Sequence, residues 1–111
     1  MVFAVKPPTT PGGTWSRRVL QRFSPSGEWG PSSPVVVHDG AVYGTVTTRA
    51  GGEVFKLIPS AGGKWTMTVL HRFGKHIGPY GTLVMDGSGT IFGTTIPAAQ
   101  EPPGIAYSLV P

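Results

Sequence analysis

The chain has 111 residues, including 17 glycines, 12 prolines and no cysteine, so it supports a single domain and excludes disulfides and thiolate metal sites. Hydrophobic residues make up 39% of the chain and charged residues only 13%, which is not the composition of a disordered segment, and no apolar run is long enough to span a membrane. The formal net charge is +4, but the basic residues form no block, which argues against nucleic-acid binding.

Short runs of β-forming residues, separated by glycine, proline and aspartate turns, follow one another along the whole chain. No window shows sustained helical spacing, so an all-β fold is predicted. Asp39-Gly40 and the segment 86–89 suit tight hairpin turns. The predicted strands are 2–6, 15–23, 34–38, 41–47, 53–58, 65–73, 81–86, 90–96 and 105–110.

The chain repeats itself with a period of about 50 residues, which is the sign of a repeat architecture. Four short antiparallel strands in each period are typical of a β-propeller blade, so the sequence predicts two such blades. The matching segments are VFAVKP (2–7), VFKLIP (54–59) and AYSLVP (106–111); GGTWSRRVLQRF (12–23) and GGKWTMTVLHRF (62–73); VYGT (42–45) and IFGT (91–94).

Alternation within the strands predicts the side chains of the core. In strand 65–73, every second residue from Trp65 to Phe73 is expected on one face. The repeated Trp15 and Trp65 are interpreted as packing between blades in preference to sugar binding. The predicted core consists of Val19, Leu20, Phe23, Val54, Phe55, Leu57, Val69, Leu70, Phe73, Leu83, Ile91 and Phe92.

These motifs resemble the bacterial tandem repeats called GloVer repeats, and their order is also similar to NHL propeller repeats. The resemblance rests on Leu-Val-x-Asp, Gly-x-Ile-Phe-Gly-Thr, Val-Phe-x-Leu-x-Pro and Trp-x-x-x-Val-Leu-x-x-Phe, and it covers nearly the whole chain. It implies a propeller-like fold and a secreted or cell-surface protein, although residues 1–8 do not form a signal peptide as written. GloVer proteins carry many repeats where this chain has two, and the resemblance implies almost nothing about chemistry.

The NHL-like order assigns each strand a place in a blade, counted from the inside outwards. This gives two four-stranded blades with one surplus third strand, and either 2–6 or 105–110 could fill the third place. The assignment is innermost for 34–38 and 81–86, second for 41–47 and 90–96, third for 2–6, 53–58 and 105–110, and outermost for 15–23 and 65–73.

No motif of catalysis or metal binding is present in the sequence. There is no Gly-x-Ser-x-Gly elbow, and no helix follows a glycine-rich segment to hold a phosphate. The three histidines do not have metal-ligand spacing, and no motif pairs the five acidic residues. Asp86 is interpreted as a turn residue. The sequence therefore predicts neither an enzyme nor a cofactor.

Ligand binding is predicted on one face of the propeller, where two kinds of loop meet. The first kind joins an outermost strand to the next innermost strand, and the second kind joins a second strand to a third strand. Trp29 and Tyr80 flank the repeated Gly-Pro dipeptides there, and exposed aromatic rings suit stacking on sugars. The predicted ligand-binding residues are Trp29, Tyr80, His76, Lys75 and Arg49.

Two functional hypotheses follow from the incomplete set of blades. The first is a homo-oligomeric propeller, a trimer or tetramer, that binds a ligand, with carbohydrate as the ligand class. The alternative is a structural or accessory subunit that polymerises by strand exchange or docks on a larger complex. In both hypotheses the chain's partner is an open sheet edge, either of another copy or of a different protein.

Overall fold

A computed structural model describes residues 1–23, 28–31, 33–48, 51–75, 77–97 and 103–111. These residues form an all-β structure, and none of their helices is long and apolar enough to cross a membrane. A single turn of 3-10 helix, Ala61–Gly63, precedes the seventh strand. The strands are β1 Val2–Lys6, β2 Ser16–Gln21, β3 Glu28–Pro31, β4 Val36–His38, β5 Ala41–Thr48, β6 Gly51–Pro59, β7 Trp65–Arg72, β8 Ile77–Met85, β9 Ile91–Pro97 and β10 Ala106–Leu109.

The strands are arranged in three antiparallel sheets, none of which closes on itself. The first sheet contains β1 and β2. The middle sheet has the order β3-β5-β6-β7, and β4 also pairs with β5. The last sheet has the order β8-β9-β10. Each of the nine predicted strands overlaps a strand of the structure, and the neighbours predicted from the repeat are paired.

The innermost strands differ from the prediction. β3 was not predicted, and β8 starts at Ile77, whereas the sequence placed its start at residue 81. β3 and β4 lie one after the other along β5, so together they form one interrupted strand. β8 has its irregularity at the corresponding place, between Tyr80 and Val84. The Gly-Pro dipeptides in these segments indicated loops because proline cannot donate to a ladder, but both lie on sheet edges, where that donor is not required.

A β-bulge at the same repeat position changes the faces of the outer strands. In the middle sheet, Phe55 lies opposite Val69 and Val54 lies opposite His71, so Leu70 is an extra residue. The first sheet has the same irregularity between Val2 and Phe3. Because a bulge reverses the alternation, the expectation of one common face from Trp65 to Phe73 is wrong. Trp65 packs toward the first sheet, whereas Phe73 packs toward the last.

The middle sheet is covered on both faces, and the molecule therefore has three layers. Alternate residues of β5 face opposite ways: Val42 and Val46 face the first sheet, and Ala41 and Tyr43 face the last sheet. The cluster between the first and middle sheets contains Val2, Val42, Val46, Phe55 and Leu57, with Leu20, Phe23, Trp65 and Met67 against it. The cluster between the middle and last sheets contains Ala41, Tyr43, Val54, Leu83 and Ile91, with Val36, Leu70, Phe73, Met85, Tyr107 and Leu109 against it.

Three residues of the predicted core belong to neither cluster: Val19 and Val69 are only half-buried, and the third, Phe92, is exposed. Its side chain is 45% exposed, on the face of β9 that points away from the middle sheet. Its repeat counterpart, Tyr43, which was not among the predicted core residues, is buried. The difference is that Tyr43 is covered by the next sheet along the chain, whereas no strand of the described residues covers Phe92.

Candidate functional site: the repeat interface and a polar cleft

The same aromatic contact is made at both boundaries between the sheets. Phe23 of the first sheet packs on Phe55 of the middle sheet, with ring centroids 5.6 Å apart and an interplanar angle of 52°. Phe73 packs on Tyr107 of the last sheet at 5.1 Å and 59°. The two contacts are related by the sequence repeat, so each sheet presents the same side chain to the sheet that follows it.

A glycine lies beneath each receiving aromatic ring. A Cβ atom placed on Gly44 would be 2.7 Å from Cζ of Phe55, which leaves no room for a side chain. A Cβ atom on Gly93 would likewise meet the hydroxyl oxygen of Tyr107. This steric requirement explains why VYGT and IFGT share their glycine, and at both boundaries the receiving ring lies between that glycine and the phenylalanine of the preceding sheet.

The receiving residue of the last sheet differs from its counterpart by one hydroxyl group. The Tyr107 hydroxyl is buried and has no hydrogen-bond partner among the described residues. Burial also raises the pKa of Tyr107 above its usual value, because the charged phenolate would lose solvation. Phe55 occupies the equivalent position in the middle sheet without such an unpaired group.

The pairing registers show which part of the repeat each end sheet contains. β6 pairs with β5 on one side and with β7 on the other. β10 reproduces only the first ladder, since Tyr107 lies opposite Gly93 as Phe55 lies opposite Gly44. β1 reproduces only the second ladder, since Phe3 lies opposite Val19 in the same way that Phe55 pairs with Val69. Among the described residues, the last sheet therefore has no strand equivalent to β7, and the first sheet has none equivalent to β4 and β5.

Exposed apolar side chains occur where the end sheets are incomplete. Phe3 is 52% exposed, whereas its counterpart Phe55 is completely buried. Val5 is likewise exposed, whereas its counterpart Leu57 is buried. Trp15, which immediately precedes β2, is also exposed. Phe3 and Val5 thus match buried residues of the middle sheet in sequence, but no other sheet formed by the described residues covers them.

The five predicted ligand residues are only partly described. Tyr80 lies on β8 with its side chain 62% exposed, and Lys75 is exposed in the turn after β7. Trp29 lies in β3, but its side chain is outside the described part of the chain, as are the whole residues Arg49 and His76. Tyr80 and Trp29 are thus strand residues and not loop residues as predicted, because the Gly-Pro dipeptides continue the strands.

The loops predicted to share a face do approach each other where they are described. The backbone N–H of Phe73 donates to the carbonyl oxygen of Gly52 at 2.8 Å, which joins the end of β7 to the start of β6. Gly51 lies against the carbonyl groups of Phe73 and Gly74. Lys75, which follows directly, is therefore near the β5–β6 connection. The ligand face formed by the five residues stays a prediction.

A polar cleft of about 310 Å³ lies between the middle and last sheets, beside their hairpin turns. Its lining includes His38, Asp39, Lys56 and Ser88. The Nε2 atom of His38 is 3.4 Å from a carboxylate oxygen of Asp39. The ammonium group of Lys56 is 5.7 Å from the ring centroid of Tyr43. Sequence reasoning missed this cleft because its residues come from separate repeats without forming a motif.

Three further charged groups, Asp86, Arg72 and Glu53, are engaged in the framework. Asp86 accepts hydrogen bonds from the backbone N–H and hydroxyl of Ser88, at 3.0 and 2.8 Å, and from the backbone N–H of Thr90 at 2.9 Å. These bonds, led by that from the Ser88 hydroxyl, lower the pKa of Asp86 below its usual value. Arg72 binds Glu53 across β6 and β7 at 2.6 Å. Within the described ranges, no three His, Asp or Glu side chains come together as metal ligands would.

Comparison with known proteins gives no match for this chain among protein-family models, curated proteins or solved structures. The relation to GloVer and NHL repeats consequently stays a prediction from the sequence motifs.

Proposed function

We propose that this chain is a non-catalytic binding module that works as a homo-oligomeric β-propeller. In this proposal, the middle sheet is a complete blade with its strands in the order β4-β5-β6-β7 from the inside outwards. The observation that carries the proposal is the repeated stack of Phe23 on Phe55 and of Phe73 on Tyr107. Repeat units bury their cores only against neighbours, and these two contacts are the regular neighbour contact of the array.

The numbers of strands indicate how many copies would close a ring. The first sheet provides the outer half of a blade, and the last sheet provides the inner part. Between neighbouring copies, the first sheet of one and the last sheet of the other would together form one blade. With the middle sheet, each chain then supplies two blades. Closed propellers have about four to eight blades, so three or four copies would form a six-bladed or eight-bladed ring.

The ligand class that we propose is carbohydrate. Tyr80 is an exposed aromatic side chain on β8, which is an innermost strand in the proposed blade. A ring of three or four copies would therefore place several Tyr80 side chains around its central axis, near the exposed Lys75 turns. Flat aromatic surfaces with adjacent polar groups suit the apolar face and the hydroxyls of a sugar.

The alternative is a structural or accessory subunit that assembles by strand complementation. The open edges of β1 and β10 favour it, because an unpaired strand edge is a template for another chain. In this alternative, the same contacts would continue into a filament or onto another protein instead of closing into a ring.

Light scattering and electron microscopy of the purified chain test the assembly. We expect a particle with three or four times the 11.6 kDa mass of one chain and a ring-shaped projection. A filament would support the structural alternative, and a folded monomer at micromolar concentration would contradict both. A glycan array then tests the ligand class, with Tyr80→Ala as the binding variant and Ser60→Ala as a surface control. An array without signal from the intact ring would remove the carbohydrate proposal and leave the assembly.

A further inference from the structure

Two strands of this chain are built for the same position in a blade. β1 and β10 both correspond to β6, and β6 occupies the third place in the middle sheet. We infer that the β1–β2 hairpin of a second copy takes the place of β10 in the last sheet and pairs with β9. This inference rests on the proposed self-assembly and specifies which strands form the contact between copies.

The register of the exchanged sheet follows from the middle sheet. Phe55 lies opposite Gly44 and Lys56 opposite Tyr43 where β6 pairs with β5. By the repeat, Phe3 of the second copy would lie opposite Gly93. Ala4 would then lie opposite Phe92, which is the position that Ser108 of β10 occupies in the single chain. The exchanged sheet would contain β8, β9, β1 and β2, which is the complete strand set of the middle sheet.

Phe3 suits this position better than the residue that holds it. The Tyr107 hydroxyl is buried over Gly93 and has no partner among the described residues, and a buried polar group without a hydrogen bond is unfavourable. Phe3 would place an aromatic ring over the same glycine without the hydroxyl, as Phe55 does over Gly44. Exchange therefore removes the unpaired Tyr107 hydroxyl from its buried position. It also adds β2 as the outermost strand, which β10 cannot supply.

The hairpin has to come from a second copy. Within one chain, Val2, Leu20 and Phe23 hold the first sheet against one face of the middle sheet, and the last sheet packs on the opposite face. The chain's own hairpin is thus separated from β9 by a complete layer. A hairpin from another copy has no such restriction.

Exchange would also cover the exposed apolar side chains of both copies. Phe3 and Val5 of the second copy would face the middle sheet of the first copy, where Phe73 now contacts Tyr107. On the other face of the exchanged sheet, Phe92 would meet the middle sheet of the second copy. Val37 of that middle sheet lies on the face that packs against the first sheet. It is nevertheless 68% exposed, because neither β1 nor β2 extends over it.

The absence of cysteine from the chain allows a direct cross-linking test. One preparation carries Ala4→Cys, another carries Phe92→Cys, and the two are mixed, dissociated, reassembled and mildly oxidised. We expect a disulfide-linked pair that contains one chain of each kind, in excess over pairs of identical chains. The matched control mixes Ser108→Cys with Phe92→Cys, which would cross-link between chains only if β10 were exchanged instead.

A double variant in one chain, Phe92→Cys with Ser108→Cys, reports the competing arrangement. We expect its internal disulfide to form slowly in the oligomer and to be much faster in chains diluted to monomers. Rapid internal closure in the intact oligomer, without cross-linking between Ala4→Cys and Phe92→Cys chains, would overturn the inference while leaving the proposed oligomer in place. Failure of the unsubstituted chain to associate at all would instead remove the proposed function.

Discussion

Phe23 and Phe73 stand 50 residues apart in the sequence and make the same contact, each with the aromatic residue of the sheet that follows. This relationship shows that the internal repeat is a repeat of packing and not only of strand type. A side chain repeated for this reason should have the same energetic role in both copies. The first two predictions test that role at the two boundaries, one at Phe73 and one at the glycine beneath Phe55.

Phe73→Ala should lower the free energy of unfolding by about 3–5 kcal/mol, which is the usual penalty for deleting a packed aromatic side chain. Phe73 contacts Tyr107 and also lies edge-on against His71, with centroids 4.7 Å apart. Urea unfolding followed by circular dichroism measures the change. Lys75→Ala is the control, since Lys75 is exposed. A change below about 1 kcal/mol for Phe73→Ala would contradict the packing described for the last boundary.

Gly44→Ala should destabilise the chain by about 1–3 kcal/mol, because the added methyl group would collide with the Phe55 ring in a packed core. Gly78→Ala is a matched control: Gly78 is also a strand glycine, and a Cβ atom there would meet nothing within 4 Å. Urea unfolding of both variants separates steric conflict from the general effect of replacing glycine. Equal stability of the two variants would show that the ring moves aside at no cost.

Tyr107→Phe should raise the stability of the single chain by about 1 kcal/mol, because it removes a buried hydroxyl that has no partner in the described structure. Phe55 shows that phenylalanine fits the equivalent place. The measurement is urea unfolding under conditions where the chain is monomeric. Tyr80→Phe serves as the control, because the Tyr80 side chain is exposed and its hydroxyl stays hydrated. A loss of stability in Tyr107→Phe would reveal a hydrogen bond made by that hydroxyl.

The Asp86 turn should make stability fall at acidic pH. Hydrogen bonds to the carboxylate lower its pKa in the folded chain below the ordinary 3.8. The resulting stabilisation is present above pH 3.8 and is lost as the pH falls through the lower pKa of the folded state. Asp86→Asn should flatten this part of the profile of urea midpoint against pH. Asp39→Asn is the control, because Asp39 lies in the turn of the other hairpin and its described contact is with the His38 ring and not with turn N–H groups. Identical acid profiles for the two variants would contradict the role given to Asp86.

The sequence predicted the parts of this fold that depend on local pattern. The period-two alternation and the repeated segments gave the nine strands and their neighbours. The starts of the innermost strands were predicted wrongly. Gly30-Pro31 and Gly78-Pro79 indicated loops, but both dipeptides lie within strands at a sheet edge, where proline is tolerated. The bulge at Leu70 could not be read from alternation, since an inserted residue leaves the composition of a strand unchanged.

The candidate sites were less accessible to sequence reasoning than the strands. The cleft beside His38 joins residues from two repeats, so its composition appears only when the sheets are stacked. Exposure of Phe92 and Phe3 was equally hidden, because their repeat counterparts are buried core residues. For these side chains the determining factor is whether another sheet covers them, which is a property of the assembly and not of the local sequence.

Val37→Glu should therefore convert the proposed oligomer into folded monomers. Val37 is exposed in the single chain, so a carboxylate there remains hydrated and the circular dichroism spectrum should not change. In the assembly the same position would face Phe92 of a neighbouring copy, and burying an unpaired charge beside an aromatic ring is strongly unfavourable. Light scattering at several concentrations measures the association.

The control for this variant is Ser60→Glu, which adds the same charge at an exposed position before the 3-10 turn and outside the exposed apolar surface. We expect Ser60→Glu to keep the mass of the unsubstituted particle and Val37→Glu to lose it, with both chains retaining the same thermal transition when diluted. If Val37→Glu assembles as well as the control, the face of β4 is not covered by a neighbour. The head-to-tail arrangement of copies would then have to be replaced by one that leaves Val37 in water.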